Sequence, residues 1–235
     1  MSDLRVICAD LDARPLFWTE QDERLGYEPD VARLLGYVLG RPVRWVYRSW
    51  ADFVPALDRG DGDVILCGQG ITDHRKQFVD FTEPYAVFDE SILTRAGSGI
   101  AGREQLRGLR VGAIANSTNI ALAETFDGVE LVPFEGASDD VLGDMVRALV
   151  EGEVDAVVDD DVALVPLADR PDLEIAFTVA TRNKWGISVG KGADPLREEL
   201  NEALRAVSGD DRLAAVWRKW LPQLAYPFAE QPEVS

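Results

Sequence analysis

Short apolar runs alternate with stretches of helical periodicity along almost the whole chain. Residues 4–9 read as a strand, because apolar and β-branched side chains dominate them. A loop over residues 10–25 carries Pro15, Phe17 and Trp18. Pro29 then sits where a first helical turn begins, and Val31, Leu34, Leu35, Val38 and Leu39 follow at helical spacing until Gly40 stops them. Residues 43–47 read as the next strand. Ser49 to Asp52 resembles a helix N-terminus with an acidic third residue, Gly60 ends that helix, and residues 63–67 read as a buried strand.

A second series starts near residue 100. It predicts strands over 110–114, 130–134 and 154–158, with further strands over 174–177 and 186–189. A helix opens at Ser117 or Thr118. Ser138 caps another over 139–151, which Gly152 ends. Asp194 and Pro195 open a terminal helix that Ser208 and Gly209 break. Leu213, Val216, Trp217 and Trp220 form the stripe of the last helix, and the tail after Pro222 is expected to be loose. This alternation implies an α/β fold with mostly parallel sheets and crossover helices.

One segment recurs. Ala56-Leu-Asp-Arg-Gly60-Asp-Gly-Asp63-Val-Ile65 returns as Ala148-Leu-Val-Glu-Gly152-Glu-Val-Asp155-Ala-Val157. Each copy joins a helix end, through a glycine, to an aspartate that opens an apolar strand. Any tight helix-to-strand connection can look like this. Two domains of like architecture explain it as well, and then ligands belong beyond the carboxyl ends of the strands. Those places are Gly68-Gln69-Gly70 and Asp159-Asp160-Asp161.

Charge narrows the function. Acidic residues outnumber basic ones 42 to 24, a net charge of −18. Such a surface disfavours nucleic acid and anionic membranes, which need basic patches. An anionic ligand needs local positive groups working against that field. Cys8 and Cys67 lie in apolar runs and read as buried thiols, and two cysteines exclude a disulfide framework. No stretch reaches the apolar length of a membrane helix. The start of the chain shows no basic or apolar leader. The expectation is an extracytoplasmic protein if a signal segment was removed, and a cytoplasmic one if Met1 is the native start.

A series of motifs now resembles the family 3 extracellular solute-binding proteins, the amino-acid receptors of bacterial ABC importers. Leu4-Arg-Val, Asp10 and Arg14-Pro15-Leu16 look like the first strand and its ligand loop. Leu25-Gly26-Tyr27-Glu28-Pro29-Asp30-Val31 is similar to the family's helix entry, and Ser49-Trp50 with Pro55-Ala56-Leu57 to the next helix. Gly68 through Arg75, Val79-Asp80-Phe81-Thr82-Glu83-Pro84-Tyr85 and Leu106-Arg-Gly108-Leu-Arg-Val111-Gly112 follow in family order. Trp185-Gly186-Ile187 and Val216-Trp217-Arg-Lys-Trp220-Leu close the series. The resemblance implies a type II periplasmic binding protein fold: two α/β domains joined by a two-crossover hinge. Domain one is then 1–90 plus 183–235, and domain two is the insert 91–182. The ligand cleft lies between them, with crossings near Glu90 and Arg182.

The resemblance also assigns a site. Arg75 takes the position of the arginine that grips the ligand carboxylate, a pairing guanidinium makes in bidentate geometry. Ser117 and Thr118 stand at a helix start whose hydroxyls and N–H groups suit an anion, though plain N-capping would use the same residues. Asp160 falls at the ammonium-binding carboxylate, with the register uncertain across Asp159–Asp161, and such a run also reads as a solvated loop. Asp10 is similar to an acidic residue that meets the ligand side chain, hinting at a cationic or amide group there. Trp50 looks like an aromatic wall, or else a core aromatic at a helix start. Gly68 and Gly70 complete the set. Ala13 replaces a stacking aromatic and Gly70 a hydroxyl residue, so Gln69 and Trp18 are candidates to fill the space.

Other classes find less support. Cyclohexadienyl dehydratases share this fold, but their catalytic glutamate would fall at Ala163. The single histidine, His74, has no serine or cysteine partner in a catalytic order, and no metal spacing such as H-E-x-x-H occurs. Gly68-x-Gly70 lacks the rest of a phosphate loop. The reading is a monomeric binding protein, not an enzyme, with no cofactor and no metal. Its ligand is a small amino acid or amino-acid-like solute and its partner an ABC permease. A solute-sensing regulatory module is the alternative outside enzymology.

Overall fold

The computed structural model describes residues 2–135, 138 and 140–228. In chain order the elements are β1 (Leu4–Cys8), β2 (Trp18–Glu20), β3 (Glu23–Leu25), α1 (Tyr27–Leu39), β4 (Val43–Tyr47), α2 (Phe53–Asp58), β5 (Val64–Ile65) and β6 (Val79–Arg95). Then come β7 (Arg110–Ile114), α3 (Thr118–Ala123), β8 (Glu130–Phe134), α4 (Val141–Glu151), β9 (Ala156–Asp160), α5 (Asp161–Leu164), β10 (Leu173–Gly190), α6 (Asp194–Gly209) and α7 (Arg212–Trp220). The chain divides into two compact units, Met1–Val87 with Asn183–Ser235, and Phe88–Arg182. β6 and β10 are the strands that carry the chain from one unit into the other.

In the first unit β1 lies between β4 and β5, parallel to both, and the end of β10 pairs antiparallel to β5. α1 buries Tyr27, Glu28, Val31, Ala32 and Leu35, a face turned from the one expected from the sequence, and Val38 is exposed. Gly40 ends the helix in the left-handed conformation. Tyr27 anchors the packing: its ring stacks on Tyr85 and meets Trp217 edge-on, and its hydroxyl donates to the Tyr85 carbonyl at 2.7 Å. The segment after Pro222 is not loose as far as residue 228. Trp217 Nε1 donates to the Leu224 carbonyl at 2.9 Å, and the Tyr226 ring packs against Trp217.

In the second unit β7 pairs parallel with β8 and β9, and β9 pairs antiparallel with β6. Alternation sorts its apolar residues to two faces. Leu93 and Val157 join Met145, Leu149 and Leu164 on one, and Ile92 and Val158 join Val111, Ala113 and Phe126 on the other. A parallel sheet covered on both faces needs this near-continuous apolar character.

The repeated segment is a repeated joint. Arg5 sends its backbone N–H to Asp63 Oδ2 at 2.8 Å and its guanidinium to Oδ1 at 2.7 Å, while Nη1 donates to the Gly60 carbonyl. Arg110 does the same to Asp155, at 3.0 Å from the backbone and 2.8 Å from Nη2, and Nη2 also donates to the Gly152 carbonyl. In both copies the aspartate N–H returns a bond to the arginine carbonyl at 2.8 Å. Each joint pins the start of one parallel strand to the next.

Several boundaries differ from the sequence reading. The strand expected over 154–158 is β9, two residues later, because Asp155 is spent on the joint with Arg110. The two strands expected over 174–177 and 186–189 are one, β10. The mostly polar stretch between them alternates half-buried and exposed positions, so period-two order continues through Arg182, Asn183 and Lys184. The strand expected over 63–67 is only β5. Ser49 makes no side-chain cap; a 3-10 turn over Trp50–Asp52 precedes α2, and Asp52 is held by Arg59. α4 is capped by Asp140, whose carboxylate accepts from the Gly143 N–H, while Ser138 donates to Asp144; Asp139 lies outside the described residues.

Candidate functional site

Five of the site residues expected from the sequence gather in the first unit, at the carboxyl ends of its parallel strands. Asp10 follows β1, Trp50 follows β4, and Gly68, Gly70 and Arg75 follow β5. Trp50 is 48% exposed, so it is not a core aromatic. The Arg75 guanidinium lies over its ring, 5.6 Å from the centroid. Arg75 Nη1 also donates to the Gly70 carbonyl at 2.9 Å, and its N–H is bound to Thr72 Oγ1. A Cβ at residue 70 would stand 3.2 Å from Nη1, a tight contact that glycine avoids. A fixed planar cation over an aromatic ring is a ready partner for a carboxylate.

Gly68 has φ +62°, and a Cβ there would stand 3.2 Å from the Trp185 ring. Asp10 has an exposed side chain, 3.4 Å from the Thr19 hydroxyl and 3.8 Å from Arg24 Nη1. Gln69 and Trp18 do not line this face. Gln69 is buried and accepts a bond from the Ser188 hydroxyl, and Trp18 packs edge-on against Trp220.

The other three residues belong to the second unit, again at carboxyl strand ends. Ser117 follows β7 and caps α3: its hydroxyl accepts from the Ile120 N–H at 3.2 Å and donates to the Ile114 carbonyl at 2.6 Å. The capping role therefore occupies that hydroxyl. Thr118, half-buried, is the first helical residue. Asp160 is the last residue of β9 and not part of a solvated loop.

Asp160 has company that the sequence did not announce. In the strand register it lies opposite Glu90 of β6, which is 1% exposed. The Asn119 side-chain amide reaches both, 3.3 Å from Glu90 Oε1 and 3.5 Å from Asp160 Oδ1. Asp159 is buried beside them and accepts the Asp160 N–H at 2.7 Å. Burial pushes Asp159 up to about 6, with Glu90 adding to the rise. Burial, then Asp159 and Glu90, hold Asp160 well above the usual carboxylate range. Asp161 is also pushed up to about 6 by burial. These groups resist carrying their charges together, and a cation would let them ionise. Among the described residues no set of three metal-ligating side chains has metal geometry. The available signal for Glu90 was an acidic pair, Asp89 and Glu90, between the apolar runs Ala86–Phe88 and Ile92–Leu93; nothing in sequence paired Glu90 with Asp160.

The profile of the bacterial extracellular solute-binding proteins, family 3, matches residues 6–223. The chain belongs to this family. The glutamine-binding protein GlnH of an ABC transporter from Bacillus subtilis is 30% identical over 204 residues, covering 84% of this chain and 73% of GlnH. A solved ancestral arginine-binding protein bound to arginine superposes with a TM-score of 0.80 at 27% identity, covering 93% of this chain and 98% of that one. An ancestral amino acid-binding protein described as a precursor of cyclohexadienyl dehydratase gives 0.78 at 26% identity, covering 93% and 95%. The relatives named here are binding proteins, and among the described residues no helix is long and apolar enough to cross a membrane.

Proposed function

We propose that this protein binds a free amino acid or a close analogue, with Arg75 taking the carboxylate and Asp160 the ammonium. The observation that carries this is the pairing of opposite chemistries. A guanidinium over Trp50 follows the strands of one unit, and in the other a buried carboxylate at the end of β9, Asp160, faces Glu90 of β6. One amino acid satisfies both. Closure about β6 and β10 follows as the mechanism: contacts that only the ligand completes shift the population toward a closed state. Ser117 and Thr118 contribute backbone N–H groups at the start of α3, and Asp10 and Trp50 border the ligand side chain.

Delivery to an ABC permease outside the cytoplasmic membrane is the biological role this reading supports. Binding without catalysis is the favoured activity, because Ala163 in α5 offers no proton donor where a dehydratase would need one. A thermal-shift and calorimetric screen with L-glutamine, L-arginine and other amino acids tests the proposal. A ligand at 100 times its dissociation constant should stabilise the protein by about 2.7 kcal/mol. No stabilisation by any amino acid would reject it.

A further inference from the structure

Glu28, the second residue of α1, has no part in the ligand contacts above and yet is tied to them. It is 2% exposed. Its Oε1 accepts the Gly68 N–H at 2.6 Å and the Tyr85 hydroxyl, and its Oε2 is buried with no hydrogen-bond partner among the described residues. The groups facing it are the Cys8 and Cys67 thiols, the Tyr27 and Tyr85 phenols, and Arg24. Burial pushes Cys8 up to about 12 and Cys67 higher than usual, so both thiols stay neutral. Arg24 spends a guanidinium N–H on the Ala9 carbonyl.

A carboxyl in the buried stripe of a helix is costly to desolvate, and an apolar side chain would pack there without that cost. What the carboxyl adds is an acceptor for Gly68. That residue begins the segment whose Gly70 carbonyl receives Arg75. We infer that Glu28 is a positioning residue for the binding segment: it fixes the Gly68 amide, and through Gly68–Gly70 the pose of the Arg75 guanidinium. The inference rests on the amino-acid reading for its purpose, though its geometry can be tested without ligand. Burial raises Glu28 to about 7, so both protonation states are populated near neutrality. The ionised state is the stronger acceptor.

The ligand-free test is NMR on the full chain between pH 5 and 9. The Gly68 amide proton and the Arg75 Nε–Hε signal should titrate together, with a midpoint near 7. Both titrations should vanish in Glu28→Gln. Signals that ignore pH, or that titrate unchanged in Glu28→Gln, overturn the inference. The binding test uses L-arginine and L-glutamine as probes. Glu28→Gln keeps an acceptor oxygen and should bind within about threefold of the wild type, while Glu28→Leu should bind at least about tenfold more weakly. A folded Glu28→Leu protein that binds either probe as well as the wild type overturns it. If the wild type binds no amino acid in the screen, the functional reading fails, while the NMR outcome still decides whether Glu28 sets the pose of Arg75.

Discussion

Asp160 stands directly opposite Glu90 in the antiparallel pairing of β9 with β6, and the Asn119 amide lies within 3.5 Å of both carboxylates. Like charges at opposed strand positions are destabilising unless something neutralises them. Burial, then Asp159 and Glu90, raise the Asp160 carboxyl well above the usual carboxylate range. Binding and stability should therefore respond in opposite directions. Asp160→Asn should weaken amino-acid binding by about 2–5 kcal/mol, as when one member of a buried charge pair is lost. Des-amino analogues should be affected far less. The same variant should unfold at a higher temperature than wild type at pH 8 without ligand, because it removes a carboxyl that folding makes harder to ionise. Calorimetric titration and a melting curve check the two halves.

Binding should also depend on pH. Asp159 and Asp161 sit at about 6 and Asp160 well above the usual range, all raised first by burial. An ammonium ligand favours the ionised carboxylates, so protons compete with it. Affinity for an amino acid should fall as pH drops from 8 to 5, and binding at pH 7 should release protons to the buffer. Titrations in buffers of different ionisation enthalpy measure that release directly. Proton uptake on binding would contradict the assignment.

The repeated joints predict an acid effect. The Arg110 guanidinium, bonded to Asp155, holds that carboxyl down to about 2. A lowered carboxylate contributes stability above its unfolded value, and this is lost as pH falls through the folded one. Arg110→Met should thus be less stable than wild type at pH 7, with the difference closing between about pH 4 and pH 2. Urea unfolding across that range is the check.

Gly68 gives a local prediction. Its φ is positive, and a Cβ there would meet the Trp185 ring at 3.2 Å, a tight contact the ring would have to yield to. Gly68→Ala should destabilise the protein by about 1–3 kcal/mol, the usual cost of a left-handed non-glycine residue in a fixed site. It should also lower affinity for amino acids, because the same segment carries Arg75. Thermal melts and calorimetric titration of the variant measure the two effects.

Much of this was legible in the sequence, and the rest was hidden for physical reasons. The parallel strands β4, β7 and β8 follow the expected ranges, since apolar strands between glycine-ended helices leave a strong local signal. The joint of Asp63 with Arg5 was visible as half of itself: the aspartates recur, but their arginines lie 58 residues away in one copy and 45 in the other. Glu90 and Asn119 were missed for the same cause, because register and not spacing brings them to Asp160. Glu28 was readable in hindsight as an acidic residue on the apolar face of α1, spaced with Val31, Ala32 and Leu35. The centre of β10 carried little strand signal, since Arg182, Asn183 and Lys184 are polar and an alternating half-exposed stretch needs few apolar side chains.

The most direct test of the account is a comparison of amino acids with their carboxamides and their des-amino analogues on wild type, Arg75→Ala and Asp160→Asn. The account predicts that wild type binds the amino acid best, that Arg75→Ala no longer distinguishes it from its carboxamide, and that Asp160→Asn no longer distinguishes it from the des-amino acid. If each variant weakens all the compounds equally, Arg75 and Asp160 do not hold the two ends of one ligand.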